Sequence, residues 1–244
     1  MNESLVAPSR HDRKLGLMLY RQLKKEVSFE EDRFFLDCIA RVSARLQSTG
    51  PNFPPLKTVI PWITERTAFT APGDYIYFNR GLLERCPKDE HVAFVLGHEM
   101  AHQHLGHVAL FEGWMGKVAE LPGADLVPLV FSLLERRVYG PERECDADRY
   151  SIDLCDRAGY DPKLCLEWFD IMEHLALDAG DIDIVHGPDA ESDDELDPSA
   201  DWKTRTRIWW WQRTRGYLPI RDRKQRLVTH LGITQRNTLA THRC

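Results

Sequence analysis

Leu15, Leu19, Leu23 and Val27 recur every four residues, an apolar stripe that predicts a helix over residues 11–27. Residues 30–47 repeat the pattern, with Phe34, Phe35, Ile39, Val42 and Leu46 on one side. Gly50-Pro51-Asn52 and Pro54-Pro55 then break the chain. Residues 57–63, 67–70 and 75–79 read as short strands, and the turn Ala71-Pro72-Gly73-Asp74 joins the last two into a hairpin. From residue 89 the periodicity is helical. Helices are predicted over residues 89–107, over 108–137 as two helices divided near Pro122-Gly123, and over 142–157, closed by Gly159. Asp161 as N-cap and Pro162 at the first helical position open a further helix to residue 177. After an acidic loop, residues 202–215 and 221–231 form the last helices. Two helices, a small sheet and then many helices is an α+β order, not an alternating βαβ one. The expected fold is one α+β, mainly helical domain over residues 1–244. It comprises N-terminal helices (1–50), a core with a small β-sheet (55–177), an acidic loop (178–201) and basic C-terminal helices (202–244).

Composition adds limits to this picture. A chain of 244 residues with 43% apolar and 29% charged side chains buries a sizeable core without disulfides, which excludes collagen-like, disordered and disulfide-stapled classes. The longest nearly apolar run, residues 126–134, contains Pro128 and Ser132 and falls short of the roughly 20 residues of a membrane span, so none is expected. The net charge of −6 asks for no nucleic-acid partner. That charge is uneven: residues 178–201 carry ten acids and no Lys or Arg, while residues 201–244 carry eleven Lys/Arg against Asp201 and Asp222. The six cysteines form no CxxC pair, and residues 1–10 lack the apolar core of a secretory signal. Both features lead to the expectation of a cytoplasmic protein with reduced thiols.

The chemistry concentrates in Gly97-His98-Glu99-Met100-Ala101-His102, a His-Glu-x-x-His motif on a predicted helix. Four residues turn through about 400°, so His98 and His102 share a face about 6 Å apart along the axis, within reach of one Zn2+. Glu99 lies about 100° round from His98, placed to take a proton from a zinc-activated water. A third ligand at the metzincin position fails, because Leu105 and Val108 stand where Gly and His are needed. A carboxylate on the later helix is available: Glu144 and Asp148 are four apart, so Glu144 can ligate while Asp148 orients a ligand histidine from behind. His104 and His107 point away on an extended helix and read as structural or exposed.

Five ordered blocks carry a resemblance. They are residues 67–78, Arg80-Gly81-Leu82-Leu83, the histidine motif with His107, Glu144-Cys145-Asp146-Ala147-Asp148, and Ala158-Gly159-Tyr160-Asp161-Pro162. Together they resemble the HtpX-like / CAAX prenyl protease family of zinc metallopeptidases, in its soluble branch without membrane spans. The resemblance implies a gluzincin, zincin-like fold, with one Zn2+ per chain on His98, His102 and Glu144. It implies Glu99 as general base, Asp148 as the hydrogen-bonded partner behind a ligand, and the strand Tyr75, Ile76, Tyr77, Phe78, Asn79 as a sheet edge that receives an extended substrate. The family also carries a C-terminal His-Pro followed by an Arg that stabilises the oxyanion. Ser199-Ala200-Asp201-Trp202 with Arg207-Ile208 keeps the Arg spacing and makes Arg207 the preferred candidate. Leu218-Pro219 with Arg226-Leu227 keeps only the Pro, and the His is missing in both. Trp209-Trp210-Trp211 cannot share one helical face, so at least one ring is expected to point outward. The expected function is zinc-dependent endopeptidase action on unfolded or extended protein segments. The alternative is a zinc-bearing, chaperone-like binding module.

Overall fold

Ser9 opens the first helix with a capping box: its hydroxyl accepts from the Asp12 N–H at 3.1 Å, and the Asp12 carboxylate accepts from the Ser9 N–H at 2.7 Å. That helix, α1 (Arg10–Glu26), buries Leu15, Leu19 and Leu23. The computed structural model describes residues 6–50, 55–121, 125–127, 139–178 and 218–232. Arg207, Trp209 to Trp211 and the acidic strip beyond Asp178 lie outside the described residues. Helix α2 (Arg33–Thr49) is capped by Asp32 and buries Ile39, Val42 and Leu46. Phe34, expected on the same side, is 74% exposed. It sits one residue, about 100°, off the stripe that runs through Phe35.

Three strands follow: β1 (Lys57–Val59), β2 (Ala68–Thr70) and β3 (Tyr75–Phe78), in the sheet order β1-β3-β2. The β2–β3 hairpin is antiparallel, with Phe69 opposite Tyr77, and β1 runs parallel to β3, with Thr58 opposite Ile76. This corrects the expectation that Tyr75, Ile76, Tyr77, Phe78 and Asn79 form a substrate-receiving edge. β3 is the central strand, paired on both sides, and Ile76, Tyr77, Phe78 and Asn79 are all fully buried. Side chains alternate across a strand. Ile76 and Phe78 therefore join one core with residues of α2 and the later helices, while Tyr77 stacks on Phe69 in a second core with Leu15, Leu19 and Leu23 of α1.

The remaining elements are α3 (Arg80–Leu83), which the sequence pattern did not predict, then α4 (Asp89–His104), α5 (Ala109–Ala119), α6 (Gly140–Arg157), α7 (Pro162–Asp178) and α8 (Ile220–His230). α4 is buried nearly all round, packed against α2, the sheet, α6 and α7. A helix buried on nearly every side belongs in the centre of a fold. It stops three residues before the expected end because Gly106 takes a φ of +71°, a conformation that ends helices. The result is mainly helical with a small mixed sheet. Among the described residues, no helix is long and apolar enough to cross a membrane.

Candidate metal centre

The site is built where α4 crosses α6. A Cβ on Gly97 would lie 2.6 Å from Ser151 Oγ and 3.3 Å from Ser151 Cα, so only glycine permits this approach. Ser151 Oγ donates to the Phe94 carbonyl at 2.6 Å and ties the two backbones together. Because the helices meet here, His98 and His102 of α4 face Glu144 and Asp148 of α6, each pair four residues apart.

His98, His102 and Glu144 place ligand atoms within 4.8 Å of one another. The two Nε2 atoms stand 3.0 Å apart, His98 Nε2 is 3.5 Å from Glu144 Oε2, and His102 Nε2 is 3.6 Å from Glu144 Oε1. Ligands bonded at 2.0–2.1 Å in tetrahedral geometry stand about 3.3–3.4 Å apart, so these separations fit one small cation. Two imidazoles and a carboxylate form a donor set that zinc uses in catalytic sites. The His98 and Glu144 side chains keep 14% and 21% exposure.

The electrostatics point the same way. Burial pushes the His98 imidazole down, but hydrogen bonds to Asp148 and Glu144 and the charges of both outweigh it and raise it to about 10. The carboxylates therefore draw a positive charge to this spot, which a proton or a metal ion can supply. Burial, then the charge of His98, holds His102 well below the usual histidine range. Burial works against ionising Glu144, yet His98 and Arg223 keep its carboxyl far below the usual range. Burial, reinforced by Glu144 and opposed by His98, pushes the Glu99 carboxyl up to about 7. A carboxylate poised there exchanges a proton efficiently at neutral pH.

Asp148 stands where the sequence places it, behind His98: its Oδ1 is 2.9 Å from His98 Nδ1. The sequence reading missed what lies behind Asp148. Arg223 of α8, itself buried, donates from Nε to Asp148 Oδ2 and from Nη2 to Asp148 Oδ1, both at 2.7 Å, and Nη2 lies 3.4 Å from Glu144 Oε2. Arg226 of the same helix is exposed. One signal could have found Arg223: with Ile220 and Leu227 it occupies positions i, i+3 and i+7 on the buried face of α8. Tyr139, just ahead of α6, stacks on the His102 ring with centroids 3.9 Å apart and an interplanar angle of 16°. Gln103 donates to Thr70 Oγ1 at 2.7 Å and to the Ala71 carbonyl at 2.5 Å, holding the end of β2 against α4.

Comparison with known proteins agrees with this geometry. Over 121 residues the chain is 32% identical to the mitochondrial metalloendopeptidase OMA1 of Arabidopsis thaliana, covering 46% of this chain and 24% of that protein. The chain thus spans about a quarter of the length of that relative. The model of peptidase family M48 matches residues 39–242. With most of its length matched, including α4, α6 and α8 that build the centre, the chain belongs to peptidase family M48.

Proposed function

We propose that this protein is a zinc-dependent endopeptidase with a zincin-like, gluzincin arrangement. The observation that carries the reading is the convergence of His98, His102 and Glu144 on one point, with Glu99 buried beside it on the same helix. The three ligands would hold one zinc ion, which when bound supplies Lewis acidity and lowers the pKa of a coordinated water towards about 7.

The chain's own residues do the rest. Glu99, buried beside the three ligands, is placed to accept a proton from the attacking water and return it to the leaving amine. Asp148, gripped by Arg223, holds the His98 ring so that Nε2 faces Glu144. Substrate recognition falls to β2 rather than β3. Among the described residues β2 is an edge of the sheet, and Gln103 ties its end to α4, the helix that carries Glu99. A peptide laid along an edge strand in extended form gains main-chain hydrogen bonds and meets the general base at its carbonyl. This supports unfolded or extended protein segments as the substrate class.

The test joins two measurements. Elemental mass spectrometry should find about one zinc per chain in wild type and little in Glu144→Ala. Cleavage of a denatured protein should stop on chelation, return with zinc, and fall about 10²–10⁴-fold in Glu99→Gln while its zinc content stays. No zinc in wild type after addition at neutral pH would overturn the reading. Zinc without chelator-sensitive cleavage would replace it with a zinc-bearing binding module.

A further inference from the structure

We propose that His107 is a positioning residue that sets the tautomer of His102 through the turn that ends α4. This rests on the metal reading above. The observation is a hydrogen bond between two ring nitrogens: His102 Nδ1 lies 3.0 Å from His107 Nδ1, and both residues are buried. One nitrogen must donate and the other accept. A neutral imidazole carries one N–H and one bare nitrogen. For His102 to offer its Nε2 lone pair beside those of His98 and Glu144, its proton must sit on Nδ1. His107 Nδ1 is then the acceptor, and His107 carries its own proton on Nε2. His107 thus does for His102 what Asp148 does for His98, with a neutral ring in place of a charged carboxylate.

The backbone explains why His107 arrives there. α4 closes in a Schellman turn: the His107 N–H donates to the His102 carbonyl at 2.9 Å, and the Gly106 N–H donates to the Gln103 carbonyl at 3.0 Å. Gly106, at φ +71°, reverses the chain. In such a turn the residue after the reversal packs on the residue five before it, usually through an apolar contact. Here those two positions are His107 and His102, and a polar contact replaces the apolar one. Tyr139 stacks on the His102 face, so the ring is fixed in plane by one neighbour and in tautomer by the other. Orienting partners of metal-bound histidines typically govern affinity by 10–100-fold.

The test uses the full chain and reads zinc affinity by competition with a chromophoric chelator. His107→Phe keeps the ring volume and removes the acceptor; it should weaken zinc binding about 10–100-fold. His107→Asn, whose Oδ1 can accept in place of Nδ1, should restore affinity to within a few-fold of wild type. If the variants fail to fold, a nitrogen-15 imidazole correlation spectrum of the wild-type zinc form decides alone: it should show His102 protonated at Nδ1 and His107 protonated at Nε2. Equal affinity in His107→Phe, or a proton on His107 Nδ1, would overturn the inference while wild type still binds zinc. No zinc uptake by wild type would overturn the metal reading itself.

Discussion

Replacing Gly97 by Ala tests whether the metal centre depends on the closeness of α4 and α6. The added methyl would meet Ser151 Oγ at 2.6 Å, about 0.8 Å inside the 3.4 Å at which ordinary contact begins, and Ser151 Cα and Cβ at 3.3 Å. Two relaxations are open. Ser151 can rotate away, which abandons its 2.6 Å bond to the Phe94 carbonyl in a fully buried place. That costs about 1–3 kcal/mol for the unsatisfied groups. Alternatively the helices part by several tenths of an ångström, at a similar overpacking cost of about 1–3 kcal/mol. Alanine returns about 1 kcal/mol through its better helix propensity, so the net loss should be about 0–2 kcal/mol. Zinc affinity should suffer more than stability. His98 and His102 ride on one helix and Glu144 on the other, while metal–ligand distances tolerate only about 0.2 Å. Urea unfolding of the metal-free chain reads the first effect, and chelator competition reads the second. Ser151→Ala removes the atom that clashes worst, so Gly97→Ala/Ser151→Ala should recover both quantities, with a coupling of about 1–2 kcal/mol in the double-mutant cycle. Wild-type affinity in Gly97→Ala, or strict additivity in the cycle, would refute the reasoning.

Other elements offer separate tests. Arg223→Met leaves the buried Asp148 carboxylate without its bidentate partner, which should cost about 3–5 kcal/mol in urea unfolding; a loss under about 1 kcal/mol would show that the pair is not structural. A Cβ on Gly16 would lie 2.6 Å from the Pro72 carbonyl oxygen at the β2–β3 turn. Gly16→Ala should therefore cost about 1–3 kcal/mol and speed amide exchange in α1, whereas unchanged exchange would mean the turn yields freely. Burial holds His91 below the usual histidine range, and among the described residues its Nδ1 has no hydrogen-bond partner. The unfolded chain then takes up a proton near pH 6.5 that the native chain refuses, so stability falls as pH drops below that value. His91→Leu should remove that part of the acid slope, and urea midpoints at pH 5.5 and 7.5 that fall equally in both proteins would count against it.

What could be read from the chain divides by distance along it. The paired residues four apart, His98 with His102 and Glu144 with Asp148, were legible because helical spacing alone puts each pair on one face. Helices α1, α2 and α4 to α8 and the β2–β3 hairpin were legible for the same local reason, while α3 was not, and the helix expected over 202–215 and most of the second half of 108–137 lie outside the described residues. The centrality of β3 was not, because β1 joins it from across the hairpin: Lys57 pairs with Tyr75. A hint existed in the unbroken run Tyr75-Ile76-Tyr77-Phe78, since a strand buried on both faces loses the apolar–polar alternation of a half-exposed one. Arg223 lay further still, on a helix 75 residues beyond the carboxylate it grips. A buried arginine needs a buried anion, and that logic selects Arg223 only once Ile220 and Leu227 define the inner face of α8.

His107 shows a different failure, one of helix length. With α4 extended to residue 107, His107 falls on the far side of the helix from His98 and looks irrelevant. Gly106 carries the correction, because a glycine two residues past the last helical turn marks a reversal, not a continuation. Once α4 ends at His104, the residue after Gly106 must return to the face of His102, and the hydrogen bond at 3.0 Å follows from that geometry. Glycine fixes both sides of the centre in complementary ways. Gly97 lets α6 bring the carboxylates close from across the fold, and Gly106 lets α4 fold its own next histidine back onto its ligand. Substituting either one leaves His98, His102 and Glu144 in the sequence and removes a reason for them to converge.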